Sequence, residues 1–456
     1  MLITNANLIT WERPNRILTD HALYIEDSRI VEYGPQLIMQ SRYPDTPKVD
    51  AEGQYVMPGN ICAHTHFYSA FARGLAIPGS APQNFVEILK GLWWPLDRAL
   101  DHQGVRYSAL VCLADAIRHG TTTLIDHHAS PNVIPGSLDI IAKAVEQAGL
   151  RASLCYEVSD RGGKDQARAG IEENLRFIKR VRKDKPAQGR LQAHFGLHAS
   201  LTLSDETLDA CRKAIPDEAG FHIHLAEDVA DQYDSLVKSG LRVTERLYQH
   251  GIIGPKTIVA HGVHLDAGEL IRLVETGTWL THQPRSNMNN AVGVADVESM
   301  MRSGVKVCLG NDGFSNAMWE EWKAAYLVQK VWHHDPRRMS GMAVAEMGVY
   351  NNASLASAIF GSQLGTLVEG AQADLIFVDY HPFTPLTPAN LPWHILFGFH
   401  ESMVTATIVA GKVLMYQHRL TEIDEAEIAA KALEVARKTW KRYSDLALRH
   451  PEASEP

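Results

Sequence analysis

The chain has 456 residues, too many for one small core, with 45% hydrophobic and 21% charged residues and a formal net charge of -9. That is ordinary globular composition, and the acidic balance without a basic run speaks against nucleic acid as a partner. No apolar stretch approaches transmembrane length, and the five scattered cysteines form no CxxC pair, so neither a membrane span nor a disulfide framework is expected.

Residues 1–56 alternate short β-like runs with turns (MLITNANLIT, HALYIEDSRIVEYG, KVDAEGQYV) and carry no strong helix pattern. They predict a small sheet. The N-terminus lacks a basic segment followed by an apolar one, so no signal peptide is read and a reducing cytoplasm is the expected compartment.

From residue 57 the texture changes. Eight apolar runs follow: 57–67, 121–128, 150–158, 190–199, 220–227, 256–265, 278–284 and 305–313. Between them lie amphipathic stretches such as SLDIIAKAVEQAG, IEENLRFIKRVRK, SLVKSGLRVTERLYQHG and AGELIRLVETG, several with a glycine at or just after the end. Strands buried on both faces and alternating with helices imply parallel βα units, and eight of them predict a (β/α)₈ TIM barrel. After about residue 366 the β texture returns in GTLVEGAQADLIFVD and MVTATIVAGKVLMY. The expected architecture is α/β: a small β-sandwich domain built from 1–57 and 366–420, a barrel over 58–365, and a C-terminal amphipathic helix over 421–450. The final PEASEP reads as a frayed end.

Polar residues fall at the ends of these strands, where barrel chemistry belongs. The first run ends in His64 and His66, the second in Asp126, His127 and His128, the fifth in His224 and Glu227, the sixth in His261 and His264, and the eighth in Asp312. Unpartnered burial of so many polar groups would cost a few kcal/mol each, which favours a shared ligand. Two imidazoles two apart on a strand share a face and can clamp a divalent ion. His64 and His66 supply two donors, His224 a third and Asp312 a fourth, leaving room for water. A cation there lowers the pKa of water from about 15.7 towards roughly 7. Glu227 can carry a proton to a ring nitrogen and on to a leaving group, His261 can steady the attacking oxygen, and Asp312 can take the water's proton.

HTH (64–66), HLAE (224–227), AHGVHL (260–265) and LGNDG (309–313), in that order, resemble the amidohydrolase superfamily, and VMPG (56–59) and GTLVEGAQADLIFVD fit as well. Within it the chain resembles the metal-dependent deaminase and chlorohydrolase branch. GLWWPLDRALD (91–101), IDHHASP (125–131) and RSNMNN (285–290) are similar to the SsnA group of aminohydrolases. The resemblance implies His64, His66, His224 and Asp312 as metal ligands, Glu227 as proton shuttle, His261 beside the hydrolytic water and His198 as a substrate contact. The fourth strand has no lysine for a second metal, so one divalent ion per chain is expected, zinc first and iron as the alternative. Asn311 stands where many of these deaminases have threonine, which implies altered detail with activity kept.

Further substrate contacts are read at His128, Arg73, Trp93, Glu157 and Asn287, with packing as the alternative for His128 and Trp93 and a surface salt bridge for Arg73; Asn289 and Asn290 share the Asn287 segment. His222 and His264 are read as structural. The expected activity is hydrolytic deamination of an amino-substituted nitrogen heterocycle of purine, pterin, pyrimidine or triazine type. The alternatives are chlorohydrolase or cyclic-amide hydrolase chemistry at the same site, or a non-catalytic metal-binding accessory protein. The expected partners are that small molecule and water. Long exposed helices permit a homodimer.

Overall fold

Nine parallel strand segments occupy the eight predicted places in a computed structural model that describes residues 1–449. They form two sheets. Four strands, Asn60–Thr65, Thr121–Asp126, Arg151–Leu154 and Leu191–Ala193, make one. Five, Phe195–Ala199, Phe221–Leu225, Ile258–His261, Trp279–His282 and Lys306–Leu309, make the other. The predicted fourth strand is thus two segments meeting at His194 and belongs to both sheets. Parallel bridges Val158–Leu197 and Thr65–Asp312 join the sheet edges on either side. The strands are buried almost throughout, as parallel strands covered by helices must be.

The helices follow the sequence pattern with instructive departures. Ser137–Ala148 and Ala267–Thr276 end at Gly149 and Gly277, and Asp266 with Glu269 closes a capping box on the second. The stretch expected as one helix around residues 235–251 is two, Val229–Ser239 and Val243–Gln249. Gly240 has φ +73°, the left-handed geometry that stops a helix. The N-terminal segment carries a short helix, Gln36–Arg42, that its pattern did not announce. Only Met39 of that helix is buried, so it has no apolar stripe for periodicity to detect.

The two ends of the chain meet in one nine-stranded sheet. Tyr55–Pro58 pairs antiparallel with Leu375–Val378 on one side and parallel with Leu2–Ile9 on the other. Arg151, at the start of the third parallel strand, donates to both carboxylate oxygens of Asp374 (2.8 and 3.2 Å) and fastens this sheet to the parallel one. The C-terminal helix runs Glu425–Arg449; the PEASEP expectation lies outside the described residues. No helix among the described residues is long and apolar enough to cross a membrane.

Candidate metal and catalytic site

The strand ends bring together residues far apart in sequence. Ligand atoms of His64, His66, His224 and Asp312 all lie within 4.8 Å of one another. Two HxH pairs face each other. His64 Nδ1 is 2.9 Å from His222 Nε2, and His66 Nε2 is 3.1 Å from His224 Nε2. Asp312 Oδ1 closes the set, 3.2 Å from His64 Nε2 and 3.1 Å from His66 Nε2. His222, read as structural, braces the first ligand from behind. Gly310 is required here, because a Cβ on it would lie 2.7 Å from the backbone nitrogen and oxygen of His64.

Tautomers follow from the backbone. His66 Nδ1 contacts the carbonyl of His127 (2.5 Å), and His224 Nδ1 that of His198 (2.8 Å). A carbonyl only accepts, so both Nδ1 atoms carry hydrogen and the two Nε2 atoms are left facing each other. In the neutral rings these are two lone pairs 3.1 Å apart beside a carboxylate, a donor set suited to a cation. Burial pushes His64 down to about 3, against the pull of Asp312, which leaves it a neutral ligand. Burial also opposes charge on His66, yet the contacts with Asp312 and Glu157 outweigh it and raise it well above its usual value. Burial raises Asp312, but His64 and His66 reverse this and hold it well below the carboxylate range. The position stabilises positive charge, and three imidazoles with one carboxylate suit zinc or iron.

Beside this set stand Glu227 and His261. Ligand atoms of Glu227, His261 and Asp312 also cluster within 4.8 Å. His261 Nδ1 is 2.8 Å from Asn287 Oδ1, which fixes Nδ1–H as donor and turns Nε2 towards Glu227 Oε2 at 3.4 Å. Burial, then the charge of Asp312, raises Glu227 well above the ordinary glutamate range. Ser286 Oγ donates to Asp312 Oδ2, and Asn290 Nδ2 to Glu227 Oε1 at 3.4 Å. The backbone is strained at these points: His261 has φ +75° and Asp312 φ +62°. Such conformations cost about 1–3 kcal/mol each and persist where surrounding structure enforces them.

A cavity, partly open to solvent, lies over the cluster. His66, His224, Asp312 and Glu227 line one end, and Tyr68, Phe85, Leu89, Trp93 and Trp94 form an apolar wall. Of the residues read as substrate contacts, Trp93, Glu157 and His198 line this cavity. Asn287 stands behind His261 instead. His128 is buried with Nε2 2.9 Å from Ser130 Oγ and is not among the lining residues. Arg73 is exposed and lines an adjoining open cleft with Asp115 and Arg285.

Glu157 is buried with Oε1 3.3 Å from both His66 Nδ1 and His127 Nδ1. Burial would raise its pKa, but these histidines outweigh burial and hold it well below the usual range. Sequence reasoning missed Tyr68, Ser286 and Asp97. Asp97 is buried against Arg161 (2.7 Å) on the cavity wall, and burial pushes it up to about 6 in spite of that partner. Nothing in its spacing marks it, since its partner lies in a distant loop.

The amidohydrolase family model matches residues 55–414. A 5'-deoxyadenosine deaminase from Methanosarcina barkeri is 33% identical over 450 residues, covering 97% of this chain and 99% of that protein. A 5-methylthioadenosine/S-adenosylhomocysteine deaminase from Haloarcula marismortui is 32% identical over 406 residues, 87% of this chain and 90% of that one. The crystal structure of an adenosine deaminase from Xanthomonas campestris with bound zinc superposes with a TM-score of 0.82 at 23% identity, covering 96% of this chain and 98% of that one.

Proposed function

The chain belongs to the amidohydrolase family, and from that premise we propose that it is a metal-dependent aminohydrolase releasing ammonia from an amino-substituted nitrogen heterocycle. The observation that carries this is the convergence of His64, His66, His224 and Asp312, with the Nε2 atoms of His66 and His224 3.1 Å apart and Glu227 and His261 against them. The deaminases among its relatives support a purine-type ring. His64, His66, His224 and Asp312 are the residues that would hold one divalent ion, zinc by analogy with the zinc-bound structure and iron as the alternative. Such an ion supplies a Lewis acid that makes water nucleophilic near neutral pH.

The chain's own residues handle the protons. Glu227 takes one from the attacking water and delivers it to the ring nitrogen next to the carbon under attack. His261, with Nδ1–H committed to Asn287, accepts from the same water at Nε2 and orients it. Asp312, held by Ser286, takes the second proton. A C–O bond forms, the C–N bond breaks, and ammonia leaves with a transferred proton. Trp93, Glu157 and His198 bear on the substrate from the cavity wall. Arg73 acts only on substituents reaching the adjoining cleft, and Asn287 and His128 act from behind the site.

The architecture that goes with this reading is a (β/α)₈ barrel over 58–365, closed through the Val158–Leu197 and Thr65–Asp312 bridges. The nine-stranded sheet from 1–57 and 366–420 folds over as a small β-sandwich, and the helix Glu425–Arg449 packs outside. The protein works on its small substrate and water in the cytoplasm, as a monomer or homodimer.

The test is ammonia release by the zinc-loaded protein from a panel of aminopurines, pterins, pyrimidines and chlorinated or aminated triazines. Ammonia from an amino ring, lost on chelation and restored by zinc, is expected. Chloride release or ring opening in its place would overturn the deaminase reading.

A further inference from the structure

The cavity has a polar corner that the proton chemistry does not use. Thr202 Oγ1 lies 3.1 Å from Ala199 O and 2.7 Å from His198 Nδ1. A hydroxyl has one hydrogen, and a carbonyl can only accept. Both contacts are made together only when Thr202 donates to Ala199 and His198 Nδ1–H donates to Thr202. His198 Nε2 is then a bare lone pair on the cavity wall. Glu157 Oε2 stands 3.9 Å from it, beyond hydrogen-bond distance, and is itself an acceptor. The other oxygen of Glu157 is held between His66 and His127, so the carboxylate is fixed in place.

Two acceptors thus face one cavity with no protein donor between them. Leaving them unmatched is costly in a buried site, and a ligand N–H removes the cost. Charge points the same way. The carboxylates of Glu157, Asp228 and Asp312 line the cavity, and no lysine or arginine is among the lining residues. The flanking tryptophans suit a flat ring.

We propose that Glu157 and His198 select heterocycles that carry an N–H donor, a lactam N–H or a second amino group, on the edge next to the reacting carbon, and that the cavity rejects phosphorylated or carboxylated substrates. The inference rests on the deaminase reading and specifies the substrate class of that site. Glu157 is the discriminating residue, because it is the anionic acceptor of the pair.

The test is calorimetric binding to the zinc-loaded protein. The probes are oxo-purines and oxo-pterins that cannot be deaminated, each paired with its ring-N-methyl analogue, and one purine nucleoside paired with its 5'-monophosphate. The wild type should bind the N–H member roughly 10- to 100-fold tighter than the N-methyl member, the range for one lost hydrogen bond to a charged group. It should bind the nucleoside more tightly than the monophosphate. Glu157→Gln should bring each N–H and N-methyl pair to within a few-fold of one another at unchanged zinc content, because its amide donates as well as accepts. Equal binding of paired members by the wild type, tighter binding of the monophosphate, or equal weakening of both members in Glu157→Gln would overturn the inference. Ammonia assays on amino-bearing rings run alongside. Turnover without N–H discrimination overturns this inference and leaves the deaminase standing; N–H discrimination with no ammonia from any ring supports it and overturns the deaminase.

Discussion

Replacing Glu227 with glutamine changes one proton and almost nothing else. The side chain is 11% exposed, accepts from Asn290 Nδ2 at 3.4 Å and faces His261 Nε2 at 3.4 Å. Glutamine has the same shape and can still accept from Asn290, but it cannot take a proton from water and give it up again. A positioned acid–base group contributes about 10²–10⁴-fold, so turnover should fall by that factor, about 2.7–5.4 kcal/mol in barrier. Metal content should stay at the wild-type level, because no atom of the His64, His66, His224 and Asp312 set is altered. Acidity offers a second reading. Burial and the nearby Asp312 charge raise Glu227 well above its ordinary value of 4.5, so it holds its proton to higher pH than a free carboxyl. The group must be deprotonated to accept from water. Wild-type kcat/KM should therefore decline on acidification from a pH above 4.5, and the variant should lack that limb. Ammonia-release kinetics from pH 4 to 9 with metal analysis of the same samples measures both. A Glu227→Gln protein within tenfold of wild-type kcat at full metal content would refute the assigned role.

Three further outcomes follow from the same contacts. Asn287→Ala removes the acceptor that fixes the His261 ring; kcat should drop roughly 10- to 100-fold, with little change in KM, and steady-state kinetics checks it. Arg151→Met leaves Asp374 as an unpaired buried carboxylate and should cost about 3–5 kcal/mol in urea unfolding, largely recovered when Asp374 is also made leucine. Asp231 accepts from the backbone N–H groups of Leu201 and Ala226, and burial pushes it up to about 7. The folded protein therefore holds this proton more tightly than the unfolded chain, so its contribution to stability is full below about pH 4 and is lost as pH rises towards 7. The stability gap between wild type and Asp231→Asn should shift in favour of the variant between pH 5 and 8, and a pH-independent gap would contradict the assignment.

Much of the fold was legible because parallel strands announce themselves. Each of the eight apolar runs holds a strand or a pair of segments, since a strand covered on both faces admits few polar residues. The cluster of His64, His66, His224 and Asp312 was legible because HTH puts two imidazoles at the period of a strand and the other two residues stand at the ends of later apolar runs. The helix at Gln36–Arg42 was not, as it buries one side chain, and the break at Gly240 was hidden inside a continuous amphipathic pattern. The outer parts of the site were illegible for a different reason. Arg161 behind Asp97, Thr202 behind His198 and Asn287 behind His261 are joined only by tertiary geometry. Residue type offered Arg73 and His128 equally with Glu157, and only coordinates separate a lining side chain from one turned away.

The strand Tyr55–Pro58 leads straight into the first parallel strand, Asn60–Thr65, yet one of its neighbours, Leu375–Val378, is more than three hundred residues downstream. On a ribosome adding 5–20 residues per second, that edge waits roughly 15–60 s for its partner. Newly made chains therefore spend that interval with an unpaired β edge next to the future ligand strand. Truncations anywhere before residue 375 should be aggregation-prone even when every ligand residue has been synthesised, and holding chaperones should matter more for yield than metal supply.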